Sequence, residues 1–179
     1  LAICTLFNCQ TKVEKDYLKF SQNILNYQVT PIKKFDKSGL MFSDQGAWFA
    51  YSFPDSINIS GFTGPFLMTQ QNGIWSSQSL VNLVIDNNKW TTHNHTSYSS
   101  HLEQNYTSNK LKVKQELVFS SPHTALIRTT IINTSNVKQS LQYQFKNTHL
   151  LADGLKLTSH NNQLTIKSSK TDAIGHIIF

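Results

Sequence analysis

The amino-acid sequence predicts an all-β fold, a twisted antiparallel β-sandwich. Apolar and polar residues largely alternate along residues 111–119, which places one strand face on a core and the other in water. Shorter strand-like runs recur about every 8–12 residues, separated by turn signals. Hydrophobic residues make up 39% of the 179 positions and charged residues 15%, so the chain can bury one sizeable core behind largely uncharged surfaces.

Glycine, proline and asparagine delimit the strands of the first half. Residues 47–53 alternate aromatic and small side chains and stop at the turn signal Pro54-Asp55. Gly61 and Gly64-Pro65 interrupt the next stretch, and Gln71-Asn72-Gly73 predicts a turn because Asn-Gly readily adopts positive φ. The other predicted strands here are residues 66–68, 80–85, 91–98 and 101–106.

The second half of the sandwich has the clearest strand period. Two short runs flank His160-Asn161-Asn162 and predict a hairpin. A last strand begins where the sequence ends, so we expect the sandwich domain, residues 41–179, to be incomplete at its C-terminus. The predicted strands are residues 111–119, 125–132, 141–145, 155–158, 164–167 and 174–179.

Residues 1–9 are almost wholly apolar and predict the remnant of a truncated signal peptide, since they are too few to span a bilayer. Their end, Leu-Phe-Asn-Cys, resembles a bacterial lipobox, in which Cys9 carries the lipid. We therefore expect an exported protein, either periplasmic or an outer-membrane lipoprotein attached to the membrane through Cys9. A plain secretory signal is the alternative, and a Cys4–Cys9 disulfide has little support.

Residues 10–40 are polar and mixed, and they predict a linker with a short helix. The helical signal is a weak i, i+3, i+4, i+7 spacing of apolar residues. These residues are Tyr17, Leu18, Phe20, Ile24 and Leu25.

The formal charge of +6 does not indicate a nucleic-acid partner. The lysines are scattered, and Arg128 is the only arginine, the residue type best suited to phosphates and bases. The sequence has no phosphate-binding glycine loop, dinucleotide fingerprint or serine-hydrolase elbow, and no cysteine framework. We expect no cofactor.

His93 and His95 form the best metal-like pattern. Residues i and i+2 of a strand share a face, so both imidazoles can reach one ion, and His101 can join them across a hairpin. Without a carboxylate or a cysteine nearby, these residues are more typical of a solvated strand face. We predict no metal site.

Two segments resemble the N-terminal β-sandwich of bacterial glycoside hydrolase family 63. One comprises Asp44-Gln45-Gly46-Ala47-Trp48 and the following Tyr51-Ser52-Phe53-Pro54-Asp55; the other is residues 61–68, Gly-Phe-Thr-Gly-Pro-Phe-Leu-Met. The resemblance implies the sandwich of an (α/α)-barrel glycosidase that cleaves terminal α-glucosyl linkages of oligosaccharides. In this family the catalytic acids lie on the barrel, which this chain lacks, so the oligosaccharide partner is expected through the missing barrel.

The resemblance also implies that some side chains of these segments can contact a sugar. Aromatic residues crowd residues 48–75, and sugar rings stack on aromatic faces. We take Asp44, Trp48 and Phe62 as candidate substrate-binding residues, with no catalytic residue in this chain. The simpler interpretation is that the aromatic residues form core and that Asp44 anchors the start of the first strand. The aromatic residues are Trp48, Phe49, Tyr51, Phe53, Phe62, Phe66 and Trp75.

A glycosidase needs two carboxyl groups across the scissile bond, and the sequence shows no evident pair. The acidic candidates are Asp44, Asp55, Asp86, Glu103, Glu116, Asp153 and Asp172. Two other functions remain open: a free-standing carbohydrate-binding module of a bacterial lipoprotein, and the sandwich of a trehalase-like or phosphorylase-like enzyme.

Overall fold

The computed structural model describes residues 21–34, 36, 38–57, 59–69, 73–86, 88–150 and 154–179, with only the backbone for 68, 69 and 73–77. Within these residues the chain forms eleven β-strands and no α-helix, which confirms the all-β prediction. The strands are β1 (Phe49–Ser52), β2 (Thr63–Thr69), β3 (Gly73–Ile85), β4 (Thr92–Ser97), β5 (Leu102–Thr107), β6 (Leu111–Ser121), β7 (Thr124–Asn133), β8 (Tyr143–Leu150), β9 (Leu155–His160), β10 (Gln163–Ser168) and β11 (Ile174–Ile178).

The strands form three antiparallel sheets. Sheet 1 has the order β1-β2-β3-β8, sheet 2 the order β4-β5-β6-β7, and sheet 3 the order β11-β10-β9. Most neighbouring strands follow one another in the sequence, as expected for hairpin connections. The exception is β8, which returns from sheet 2 to pair with β3.

Sheets 1 and 2 pack face to face around an aromatic core. Phe53 and Phe62, beside the strands of sheet 1, are fully buried against Leu102 and Leu117 of sheet 2. A second cluster joins Leu83 and Ile85 of β3 to strands β5 and β6 of sheet 2. Alternation explains this packing, because every second side chain of β6 from Leu111 to Phe119 is buried.

Sheet 3 lies beside sheet 2, on the same face of sheet 1. Phe49 of β1 and Leu67 of β2 are paired directly across the two strands, so their side chains share a face. Phe49 contacts Phe119 of sheet 2, with 5.2 Å between ring centroids, whereas Leu67 packs with Leu80 against Ile166 of sheet 3. The sandwich therefore has sheet 1 as one layer and sheets 2 and 3 together as the other.

The described residues of the predicted linker pack on the sandwich. Val29 is buried against Ala50 and Phe66 on the face of sheet 1 that points away from sheets 2 and 3. The Val29 amide donates to the carbonyl of Phe53 at 3.0 Å, and the Phe53 amide donates to the carbonyl of Tyr27 at 2.7 Å. Ile24 and Leu25 are exposed and not helical.

Several sequence predictions lie outside the described residues. They are the signal remnant, Cys9, the helical pattern up to Phe20, the turn at Gln71 and Asn72, and Asp153. In the part of the chain that the structure covers, no helix is long and apolar enough to cross a membrane.

We expect Gly64→Ala to destabilise the fold by about 1–3 kcal/mol. Gly64 has φ of 121°, and a Cβ there would lie 2.9 Å from the Ala50 carbonyl oxygen. Gly175→Ala is the matched control, because its Cβ would meet only Ile166, at an ordinary 3.6 Å. Urea denaturation measures both, and equal midpoints for the two variants would contradict the prediction.

Candidate functional site

The first resembling segment forms a tight turn in front of β1. Gln45 and Gly46 both have positive φ, 55° and 71°, and the Ala47 amide donates to the Asp44 carbonyl at 3.0 Å. These are the features of a type I′ turn. The Asp44 carboxylate accepts the Gln45 amide at 2.7 Å. The structure therefore places Asp44 in the turn that leads into the strand.

Trp48 follows this turn, and its side chain is exposed to solvent. Its side chain is 60% exposed, whereas the neighbouring Ala47 and Ala50 are buried. Two hydrogen bonds between Phe42 and Tyr51, of 2.7 and 2.9 Å, close the hairpin around the turn. The backbone of Trp48 is therefore fixed while its indole remains available.

Trp48 lines a groove where sheets 2 and 3 lie side by side on sheet 1. The floor is Phe49, Tyr51 and Leu67, one wall is the β6–β7 turn at residues 122–125, and the other is formed by β10, β11 and the loop between them. We call this the Trp48 groove; its volume is about 440 Å³. That volume lies within the range of about 300–1,000 Å³ for small-molecule sites.

The second resembling segment has a structural role at its centre. Phe62 is fully buried, 6.1 Å from the ring of Phe53, so its side chain is core and does not reach the groove. Gly61 allows a close approach of two backbones, since a Cβ there would lie 2.6 Å from the Val81 carbonyl oxygen. Of the three candidate substrate-binding residues, only Trp48 lines the groove.

The other described aromatic side chains among residues 48–75 lie either in the core or in the groove floor. Phe53 and Phe66 are core, and Phe49 is half-buried in the groove floor. Tyr51 is buried in the same floor, and its burial raises the pKa of its phenol well above the usual value. The side chain of Trp75 lies outside the described residues.

The carboxylates show no arrangement suited to glycoside hydrolysis in the described part of the chain. Glu103 and Glu116 are cross-strand partners and share Lys114, whose Nζ lies 3.0 and 3.1 Å from their oxygens. Burial on its own would raise the pKa of Glu116, but hydrogen bonds from Arg128 and Lys114 outweigh it and hold that pKa below its usual value. A general acid needs a raised pKa instead.

The remaining described carboxylates have structural partners or lie in turns. Asp55 accepts the Thr30 amide at 2.7 Å, which ties the N-terminal segment to the sandwich. Sequence reasoning missed Asp36, which is buried and accepts the amides of Ile32 and Ser38. Hydrogen bonds from Ser38, partly opposed by burial, lower the pKa of Asp36. The sequence signal that could have identified Asp36 is its position two residues before Ser38 in a Lys-rich stretch, because Asp side chains commonly accept the backbone amide two residues on.

The two histidines of β4 are half-buried and lie against aromatic rings. His93 stacks on Tyr106 with centroids 4.5 Å apart, and His95 lies 4.6 Å from Phe53. Burial lowers the pKa of both imidazoles. His101 stacks instead on Tyr98, and the described residues contain no group of three metal-ligating side chains.

His93 also ends a buried chain of hydrogen-bonded side chains between the sheets. His93 meets Gln104 at 3.3 Å, and Gln104 donates to Gln115 at the same distance. The Tyr106 hydroxyl lies 2.7 Å from Gln104 and 2.9 Å from the carbonyl of Ile59. Buried polar groups require such partners, so this chain of contacts is structural.

Comparison with known proteins identifies the family. The family model described as "Glucosidase YgjK, N-terminal" matches residues 22–171, a span that includes both resembling segments and most of the chain. No curated protein matches the chain. The chain therefore belongs to the family of N-terminal domains of glucosidase YgjK, within glycoside hydrolase family 63, and the resemblance stated from the sequence is confirmed.

Stability should fall as the pH drops from about 7 to 5. Burial lowers the pKa of His93 and of His95 in the folded chain, whereas unfolding returns both pKa values to near 6.5. Below that pH the unfolded chain binds more protons than the folded one, so protonation favours unfolding.

Urea denaturation at several pH values measures this slope. The double variant His93→Gln/His95→Gln should show a flatter profile over that window, with a residual slope from His101, whose pKa burial also lowers. His123→Gln, at an exposed turn position, is the control and should keep the parent profile. An unchanged slope in the double variant would refute this explanation.

Proposed function

We propose that this member of the glucosidase YgjK N-terminal family supports a helical catalytic barrel and contributes to its substrate pocket, in an enzyme that cleaves terminal α-glucosyl linkages of oligosaccharides. The observation that carries the proposal is the family match over residues 22–171, which includes every strand except β11. The acids of hydrolysis are supplied by the barrel, and the sandwich supplies a rigid surface beside it.

The Trp48 groove is the part of the surface that best suits the pocket role. It combines an exposed indole with a floor of buried aromatic residues. Aromatic residues with fixed backbones lose little entropy when a ligand covers them, which makes them effective contact residues.

A free-standing carbohydrate-binding module of a bacterial lipoprotein is the second candidate, and the exposure of Trp48 favours it as well. The two candidates differ in whether a helical barrel belongs to the same polypeptide. Purifying the full gene product and measuring its length and its α-glucosidase activity decides between them.

The chain alone should hydrolyse nothing. Glu103 and Glu116, cross-strand partners on the described surface, form ion pairs with Lys114 and Arg128, whereas a glycosidase needs two carboxyl groups that face the scissile bond. The purified chain is incubated with α-glucosides and α-linked disaccharides, and released sugar is measured against a buffer blank. A barrel-containing family 63 glucosidase serves as the positive control. Turnover by the chain that Asp44→Asn abolishes would make the sandwich itself catalytic and overturn the proposal.

We also propose export of the protein, with a lipid on Cys9, from the apolar run that ends there. Expression of the full gene in a bacterium, followed by mass spectrometry, should show an N-terminus at Cys9 carrying acyl chains. Cys9→Ser should abolish the lipid mass. An unprocessed N-terminus in the cytoplasm would contradict export.

A further inference from the structure

We propose that the Trp48 groove binds one neutral sugar ring of an oligosaccharide, with the ring stacked on the Trp48 indole. This inference rests on the proposed function for its choice of α-glucosides as ligands. It goes further by giving this chain a binding activity of its own, which can be measured without any barrel.

The first argument is the contrast between Trp48 and its surroundings. The floor beneath it is packed, since Phe49 lies 5.2 Å from Phe119 and Tyr51 is 6% exposed. Trp48 itself is 60% exposed at the edge of a cavity of about 440 Å³. A large apolar ring left uncovered beside a formed cavity offers apolar area that a ligand can bury, and burial of apolar area stabilises a complex.

The second argument is the distribution of polar groups around the groove. A sugar ring has apolar C–H faces and a rim of hydroxyl groups, so it needs an aromatic face together with donors and acceptors. The polar residues His123, Thr124 and Thr171 line the groove together with the apolar Ile174 and Trp48. One cavity therefore contains both an aromatic residue and residues that can form hydrogen bonds.

The side chain of His176 lies on the outer face of sheet 3 and not over the groove floor. His176 is paired with Thr165, and its Nδ1 lies 2.6 Å from the Gln163 amide nitrogen and 3.3 Å from the Thr165 hydroxyl. Leu164 and Ile166, which alternate with Gln163 and Thr165 along β10, are buried. We therefore assign the hydrogen bonds of the sugar to the other polar residues of the lining, His123, Thr124 and Thr171.

The third argument is charge, which limits the class of ligand. Of the described residues that line the groove, none is Asp, Glu, Lys or Arg. Phosphates and carboxylates are normally bound by Arg, Lys or helix N-termini. The groove therefore fits a neutral hexose and not a sugar phosphate, although the chain as a whole carries a formal charge of +6.

The experiment is calorimetric titration of the chain with maltotriose, with tryptophan fluorescence as a second readout. We expect weak, saturable binding. Trp48→Ala should weaken it by about tenfold or more, from loss of the stacking face. Tyr143→Ala is the matched control, because Tyr143 is 62% exposed but does not line the groove. It should bind like the parent chain.

Glucose 1-phosphate tests the charge argument and should bind more weakly than methyl α-glucoside. Thermal unfolding of each variant confirms that it is folded, as expected for Trp48→Ala at an exposed position. Absence of saturable binding to the neutral sugars, or equal affinity of the parent and Trp48→Ala, would overturn the inference. Preference for the phosphate would overturn it too. These outcomes test the groove and its pocket role, whereas the support of a catalytic barrel is tested separately by the length and the α-glucosidase activity of the full gene product.

Discussion

Sheets 2 and 3 both pack on one face of sheet 1, and the position of the Trp48 groove follows from how they share that face. Phe53, Phe62 and Leu83 take the part covered by sheet 2, while Leu67 and Leu80 take the part covered by sheet 3. Two twisted sheets placed side by side on one surface do not close against each other along their whole length. The Trp48 groove is the gap that remains between the β6–β7 turn and β11.

The opposite face of sheet 1 is covered by the N-terminal segment, with Val29 against Ala50 and Phe66. A few hydrogen bonds hold the N-terminal segment against the sheet. The Thr63 hydroxyl donates to the Val29 carbonyl at 2.8 Å, and Thr30 and Asp55 exchange hydrogen bonds of 2.7 and 2.8 Å. Since β1 is short and lies at a sheet edge, these contacts complete the packing that fixes the hairpin bearing Trp48.

The alternation of apolar and polar residues along single strands allowed the fold class and most strands to be predicted from the sequence. The alternation of β6 is the clearest case, and the structure extends that strand to Ser121. The first half of β3 and the second half of β8 escaped prediction, because Ser-rich and polar stretches there lack an apolar alternation. In β3 and β8 the pairing with a neighbouring strand, which a single sequence does not display, determines the structure.

The site was predictable only in part, for a related reason. Trp48 could be singled out, but Phe62 belongs to the core, and its neighbours Gly61 and Gly64 serve close backbone approaches. The far wall of the groove comes from residues more than 100 positions away, around His176. Periodicity shows which side of a strand is buried, but not which sheet covers it, so no local signal could join Trp48 to His176.

The two polar surfaces of the sandwich differ in what they can offer a ligand. On the outer face of sheet 2, Glu103, Lys114, Glu116 and Arg128 satisfy one another, with Lys114 Nζ and Arg128 2.7–3.1 Å from the glutamate oxygens. A sugar arriving there would have to replace bonds between charges, at a cost in desolvation that neutral hydroxyls do not recover. Among the described residues that line the groove, none is Asp, Glu, Lys or Arg, and Trp48 lies at its edge. The proposal of sugar binding therefore concerns the groove and not the outer face of sheet 2, where these four charged side chains pair with one another.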